Sequence, residues 1–267
     1  MVSAVARTRL YRNGVLELED FPPEDISDHI CDPVACVWLD FCDPTQEDLA
    51  TIAEELDLHV LALEDAINDH QRSKLDRYDS HLFLSAYAVE LDVDSGRIRT
   101  TEIDAFVTAN ALVTVRVGPG FDVDAVVRRW DDSAELATHG VSYLLWGLLD
   151  CLVDGHFEAV QSLDSEIESL EDVLFDERPR DAEVQRRSYE LRKSLVMLRR
   201  VVLPMREVVN SLMRRDLHIL AEPMTPYYQD VYDHVLRVTE WTESLRDLVA
   251  TVLETNLMIQ GNRMNLS

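Results

Sequence analysis

LDCLVDGHFEAVQSLDSEIESLEDVL, Leu149 to Leu174, places Leu149, Leu152, His156, Val160, Leu163, Ile167, Leu170 and Leu174 at spacings of three and four. That rhythm is one apolar stripe along a long helix, which Pro179 is expected to end. A second series, Val184, Ser188, Leu191, Leu195, Leu198, Val202, Met205, Val209 and Leu212, keeps the same rhythm, with Pro204 expected to kink it. Asp154 to Glu177 holds nine acids and no Lys or Arg, whereas Arg178 to Arg215 holds eleven bases. An antiparallel hairpin would lay one against the other. Exposed pairs contribute only about 0.3–1 kcal/mol each, so they select register while the apolar seams hold the hairpin.

After a loop with Pro223 and Pro226, a third helical pattern runs from Tyr227 to the end through Val231, Val235, Val238, Thr242, Leu245, Val249, Val252, Asn256 and Ile259. At 1.5 Å per residue it makes a rod of roughly 60 Å. Thr242 and Asn256 are polar interruptions of the kind that set register or oligomer state, or else line something wet.

Upstream of Val141 the pattern is shorter and mixed. Val34 to Phe41, Leu82 to Asp92, Thr101 to Thr108 and Ala111 to Val117 read as strands. Gln46 to Leu56 reads as an amphipathic helix capped by Thr45, and Val60 to Ile67 as an apolar helical stretch. The expected organisation is therefore α/β: an α/β layer domain over 1–140, a long acidic and basic helical hairpin over 141–226, and a stalk helix over 227–267.

The 267 residues carry 51 acids and 25 bases, a formal charge of −26, yet 46% are hydrophobic, so the chain can bury a core. Such a field repels nucleic acid and anionic headgroups and attracts cations or basic partners. The longest apolar run, Val141 to Val153, is broken by Asp150 and falls short of the roughly 20 residues that cross a bilayer. No signal-peptide core follows the N-terminus, so the cytosol is the expected compartment. Cys31, Cys36, Cys42 and Cys151 form no C-x-x-C pair and read as reduced packing thiols.

Phosphate-binding loops, the G-x-S-x-G elbow and H-E-x-x-H are all absent, so no enzyme is expected. His70, His81, His156 and His234 have no neighbour at metal-ligand spacing and read as structural. Carboxylates are more suggestive. Glu64-Asp65 sits in the Val60–Ile67 stretch, Asp150 interrupts an apolar run, and Asp230 and Asp233 open the third helix. Carboxylates without thiol or imidazole suit a hard cation such as Mg²⁺; they equally suit a solvated face or the positive end of a helix dipole.

The stretch LALEDAINDHQRSKLDRY, Leu61 to Tyr78, resembles the LEDxxNxHQRPKxExY segment of the CorA family of magnesium and cobalt transport proteins, with Ser73 in place of the usual proline. Further matches follow in order: YLLWGLLDCLVD (Tyr143–Asp154), LPMREV (Leu203–Val208), YYQDVYDH (Tyr227–His234) and GNRMN (Gly261–Asn265). The resemblance covers nearly everything from residue 34 onward and nothing in the first 30 residues.

It implies a cytoplasmic α/β/α sandwich, the long helical hairpin, and a stalk leading into the membrane helices of a homopentameric channel. Two spans joined by a Gly-Met-Asn loop are expected beyond Asn265, so the chain is read as the cytoplasmic portion of a cell-membrane transporter that meets the membrane only through those helices. Carried over by position, Asp65 and Asp230 match the pair binding a regulatory divalent cation between adjacent subunits, and Glu64 and Asp150 match a second cation site. Asn265 matches a polar residue at the cytoplasmic start of the pore, and Glu254 an acid on the stalk. The implied ion is regulatory Mg²⁺, with Co²⁺, Ni²⁺ and Zn²⁺ as alternatives. Two rival readings are a zinc-transporting branch of the same superfamily and a soluble acidic scaffold that oligomerises through its hairpin.

Overall fold

The computed structural model describes residues 5–67, 72–92, 94–175, 180–214 and 217–266. His70 and Pro179, both read from the sequence, lie outside them. The sheet opens with β1 (Val5–Arg12) and β2 (Val15–Glu19), joined by Asn13-Gly14 with φ of 51° and 76°, the left-handed pair that a two-residue hairpin turn requires. Then come α1 (Ile26–Ile30), β3 (Ala35–Cys42), α2 (Gln46–Leu56), α3 (Val60–Ile67), β4 (Lys74–Arg77), β5 (Leu82–Asp92), β6 (Arg97–Val107), β7 (Ala111–Arg116) and α4 (Val123–Asp132). Three long helices close the chain: α5 (Val141–Leu174), α6 (Asp181–Leu212) and α7 (Thr225–Leu266).

The seven strands lie in the order β2-β1-β3-β7-β6-β5-β4. Among the described residues β3 and β7 pair in parallel and every other neighbouring pair is antiparallel. Central strands with both faces covered should be apolar on both, and β3 is: Val37, Leu39 and Phe41 join α2 and α3 in one core, while Cys36 and Trp38 join α4 and α5 in the other. This is the α/β/α sandwich.

The helical layer is continuous with the second core. Leu144, Leu148 and Leu152 of α5, Met205 and Val209 of α6, and Tyr228, Val231 and Val235 of α7 all pack there. Tyr228 donates to the Ser142 carbonyl at 2.8 Å, anchoring the start of α7 to the start of α5. Buried His156 donates from Nε2 to the Tyr87 carbonyl at 2.6 Å, fixing α5 to β5; burial lowers its pKa to about 4. Farther out the three helices pack on one another around Leu163, Leu170, Leu195, Leu198, Leu245 and Val249.

Thr45 caps α2 with a reciprocal box, accepting from the Asp48 N–H at 3.1 Å while Asp48 accepts from the Thr45 N–H at 2.8 Å. The acidic and basic helices meet at Arg187, which bonds Glu166 at 3.3 Å. Other charges are taken up by α7: Arg199 pairs with Glu243, Arg263 with Asp181 at 3.3 Å, and Asp164 accepts from Trp241 at 3.0 Å. α6 is one helix through Pro204, and Pro226 sits in the first turn of α7 rather than in the preceding loop, where its missing N–H leaves no bond unmade. On the buried seam of α7, Thr242 satisfies itself on the Val238 carbonyl at 2.7 Å.

Candidate cation sites

His59, just before α3, accepts at its ring Nδ1 from the Leu61 N–H at 3.2 Å, and the helix lays buried Ala62 on the sheet. That orientation leaves Glu64 exposed and turns Asp65 toward β4, where Lys74 Nζ lies 2.7 Å from Asp65 Oδ2 and 2.9 Å from Asp76 Oδ2. Asp65 is thus already faced by a positive charge within its own protomer.

Asp150 is buried on α5 and pairs with Arg129 of α4, which also bonds Asp154 at 2.7 Å. A buried carboxylate without such a partner would be strongly disfavoured. Asp230, in the second turn of α7, is open to solvent; its carbonyl accepts from His234 Nδ1 at 2.8 Å, and its Oδ2 lies 3.4 Å from the same nitrogen. Glu254 and Asn265 are exposed on the same helix, about 36 and 52 Å farther along its axis by helical rise.

The structure therefore does not gather the six sequence-derived residues into one cluster. Among the described residues no three His, Cys, Asp or Glu side chains converge closely enough to hold a metal. A site built on Asp65 or Asp230 needs donors beyond the described residues, or an ion that keeps its own water; Mg²⁺, bound through one or two carboxylates, is such an ion.

Two features of this region were missed by sequence reasoning. Lys74, nine residues after Asp65, is the latter's partner. Asp104 of β6 is buried on the same sheet face, and burial, reinforced by neighbouring Glu102, pushes its pKa up to about 8. Asp104 therefore keeps its proton in the fold at neutral pH, whereas the unfolded chain has released it, so its contribution to stability falls as pH rises from about 4 to 8. His156 acts in the opposite sense, losing stability as pH falls from 6.5 toward 4, and is neutral in both states above that range. Stability is accordingly expected to drop by about 2 kcal/mol between pH 6.5 and 8, and Asp104→Asn to flatten that slope in urea unfolding curves.

A model of the CorA-like Mg²⁺ transporter protein family matches residues 35–267. The cobalt/magnesium transport protein CorA of Thermotoga maritima is 28% identical over 257 residues, which span 94% of this chain and 72% of that protein. The soluble domain of CorA from Methanocaldococcus jannaschii shares the fold, with a TM-score of 0.75 and 20% identity over 97% of this chain and 99% of that one. The ZntB cytoplasmic domain from Vibrio parahaemolyticus is also similar, with a TM-score of 0.69 and 13% identity over 99% of this chain and 100% of that one. No helix among the described residues is long and apolar enough to cross a membrane. Matched from its first central strand to its last helix, the chain belongs to the CorA-like Mg²⁺ transporter family.

Proposed function

We propose that this chain is the cytoplasmic ion-sensing part of a CorA-type divalent-cation transporter, and that it assembles as a homopentamer. The observation that carries the reading is α7: one unbroken helix of 42 residues, seated at its start in the core beneath the sheet and bearing Asp230 there, Glu254 and Asn265 far along it. A cation held between Asp65 of one copy and Asp230 of the next would act on the base of that helix. Glu64 and Asp150 would form the second site, Asp150 only after yielding Arg129.

The energetics follow from charge. Each copy carries −26, so a ring of copies repels itself, and divalent ions bound between them offset that repulsion. The ion shifts the population toward the closed ring because it binds that state better; when cytoplasmic Mg²⁺ falls, repulsion opens it and α7 carries the motion toward the pore. The expected result is that Mg²⁺ protects the oligomer from protease and that Asp65→Ala combined with Asp230→Ala abolishes the protection. Unchanged protection would remove these residues from the sensor.

The alternative is a zinc-transporting member of the same superfamily, and the fold, which this chain shares with the CorA and ZntB domains alike, does not separate the two. The carboxylate donors favour Mg²⁺, since zinc sites recruit His or Cys. Competition between Mg²⁺ and Zn²⁺ in protease protection distinguishes them.

A further inference from the structure

On the sheet face that packs against α3, three polar residues stand in one row across three strands: Lys74 of β4 lies opposite Ser85 of β5, which lies opposite Asp104 of β6. Residues directly opposite share a face. The Lys74 ammonium is engaged at one end of this row by Asp65 and Asp76, at 2.7 and 2.9 Å, and lies over the Phe83 ring at 5.3 Å. At the other end Asp104 is 4% exposed, and its Oδ1 has no hydrogen-bond partner among the described residues. A buried carboxyl oxygen normally has one, so the orphan needs an explanation. Ser85 between them is small, and its hydroxyl donates sideways to Glu102 at 2.9 Å.

A divalent cation and an ammonium cannot share Asp65 closely, because the like charges repel at short range in a half-buried setting. Strand spacing puts the Lys74 and Asp104 backbones about 10 Å apart. The flexible four-carbon stem of lysine together with the aspartate side chain covers that distance over a serine.

We propose that Lys74 is the resident cation of the Asp65 site, that a divalent ion binds there only by displacing it, and that Asp104 is the buried carboxyl that receives the displaced ammonium. The inference rests on Asp65 being a cation ligand. Binding is then an exchange: Lys74 leaves Asp65 for Asp104, whose Oδ1 accepts from the ammonium whether or not the other oxygen carries a proton. The apparent affinity for Mg²⁺ is the intrinsic affinity reduced by the population in which Lys74 holds Asp65, which places half-saturation higher than the carboxylates alone would set it.

The test is calorimetric titration of Mg²⁺ into the assembled oligomer, with mass checked by light scattering. Lys74→Met is expected to tighten binding about tenfold, with Lys74→Gln as a second neutral variant should the first fold poorly. Asp104→Asn is expected to weaken binding about threefold when Lys74 is present and to have no effect in the Lys74→Met background. Asp65→Asn should remove the binding phase that the Lys74 variants tighten, leaving only that of the Glu64 and Asp150 site; if every phase persists unchanged, the reading of Asp65 as a ligand fails, whatever Lys74 does. If Asp65→Asn removes a phase but neither neutral variant at Lys74 tightens it, the exchange is overturned. Equal weakening by Asp104→Asn in both backgrounds removes Asp104 as the receiving seat.

Discussion

Trp130→Ala is expected to lower the unfolding free energy by about 3–5 kcal/mol, read as a shifted urea midpoint with unchanged slope. Trp130 is fully buried on α4, its indole N–H donates to the Leu144 carbonyl at 3.1 Å, and its own carbonyl accepts from the Tyr143 hydroxyl at 2.6 Å. Its ring meets Trp38 of the central strand edge-on at a 4.8 Å centroid distance. It is thus the wedge between sheet, α4 and α5. The wedge fits because α5 has Gly147 beneath it: a Cβ at that position would collide with the indole Nε1 and Cδ1. Gly147→Ala alone should therefore cost about 1–3 kcal/mol by overpacking. In the Trp130→Ala background the clash is gone and the same change should gain up to about 1 kcal/mol from helix propensity. That change of sign is the signature of direct contact.

Arg116→Met is expected to cost a similar amount, about 3–5 kcal/mol, because it strands a buried charge. Asp40 on β3 is completely buried, and Arg116 on the parallel neighbour β7 grips it from Nε at 3.1 Å and from a terminal guanidinium nitrogen at 3.0 Å, with Thr114 donating to the other oxygen at 2.7 Å. Removing only the cation leaves the carboxylate in a medium that cannot solvate it. Replacing both, as Asp40→Leu with Arg116→Met, should recover most of the loss, since Thr114 also reaches the Leu39 carbonyl at 3.3 Å. If the double variant were as unstable as the single one, the pair would be contributing attraction beyond mutual neutralisation.

These contacts show why part of the molecule was legible and part was not. α2, α3 and β5 occupy the expected spans, and α5 and α6 carry the expected seams, because periodicity over many residues reports which face is buried. The β1–β2 hairpin was passed over although Asn13-Gly14 is the strongest short-range turn signal a sequence offers. α4 was passed over too, although Asp122 caps it and Val123, Val126, Val127 and Trp130 mark its buried face.

At the candidate site, Glu64, Asp65 and Asp150 stood out as acids set in apolar stretches, and the roles of all the carboxylates came from the family resemblance. Their partners did not. Lys74 and Arg129 become the counter-ions of Asp65 and Asp150 only through the packing of α3 on β4 and of α4 on α5, which no local pattern encodes. Asp104 reads as an ordinary strand carboxylate until the sheet is covered.

The length of α7 has a mechanical consequence. Its first turns are clamped in the core by Tyr228, Val231 and Val235, whereas Leu257, Met258 and Met264 near its other end are exposed. Farther along, Val238, Leu245, Val249 and Val252 bind it to α5 and α6, so it turns with them as one rigid bar: over the roughly 52 Å from Asp230 to Asn265, a tilt of about 5° at the base sweeps the far end through about 4–5 Å. Displacements of a few tenths of an ångström at the base of the bar thus become motions the width of a water molecule or more at its tip.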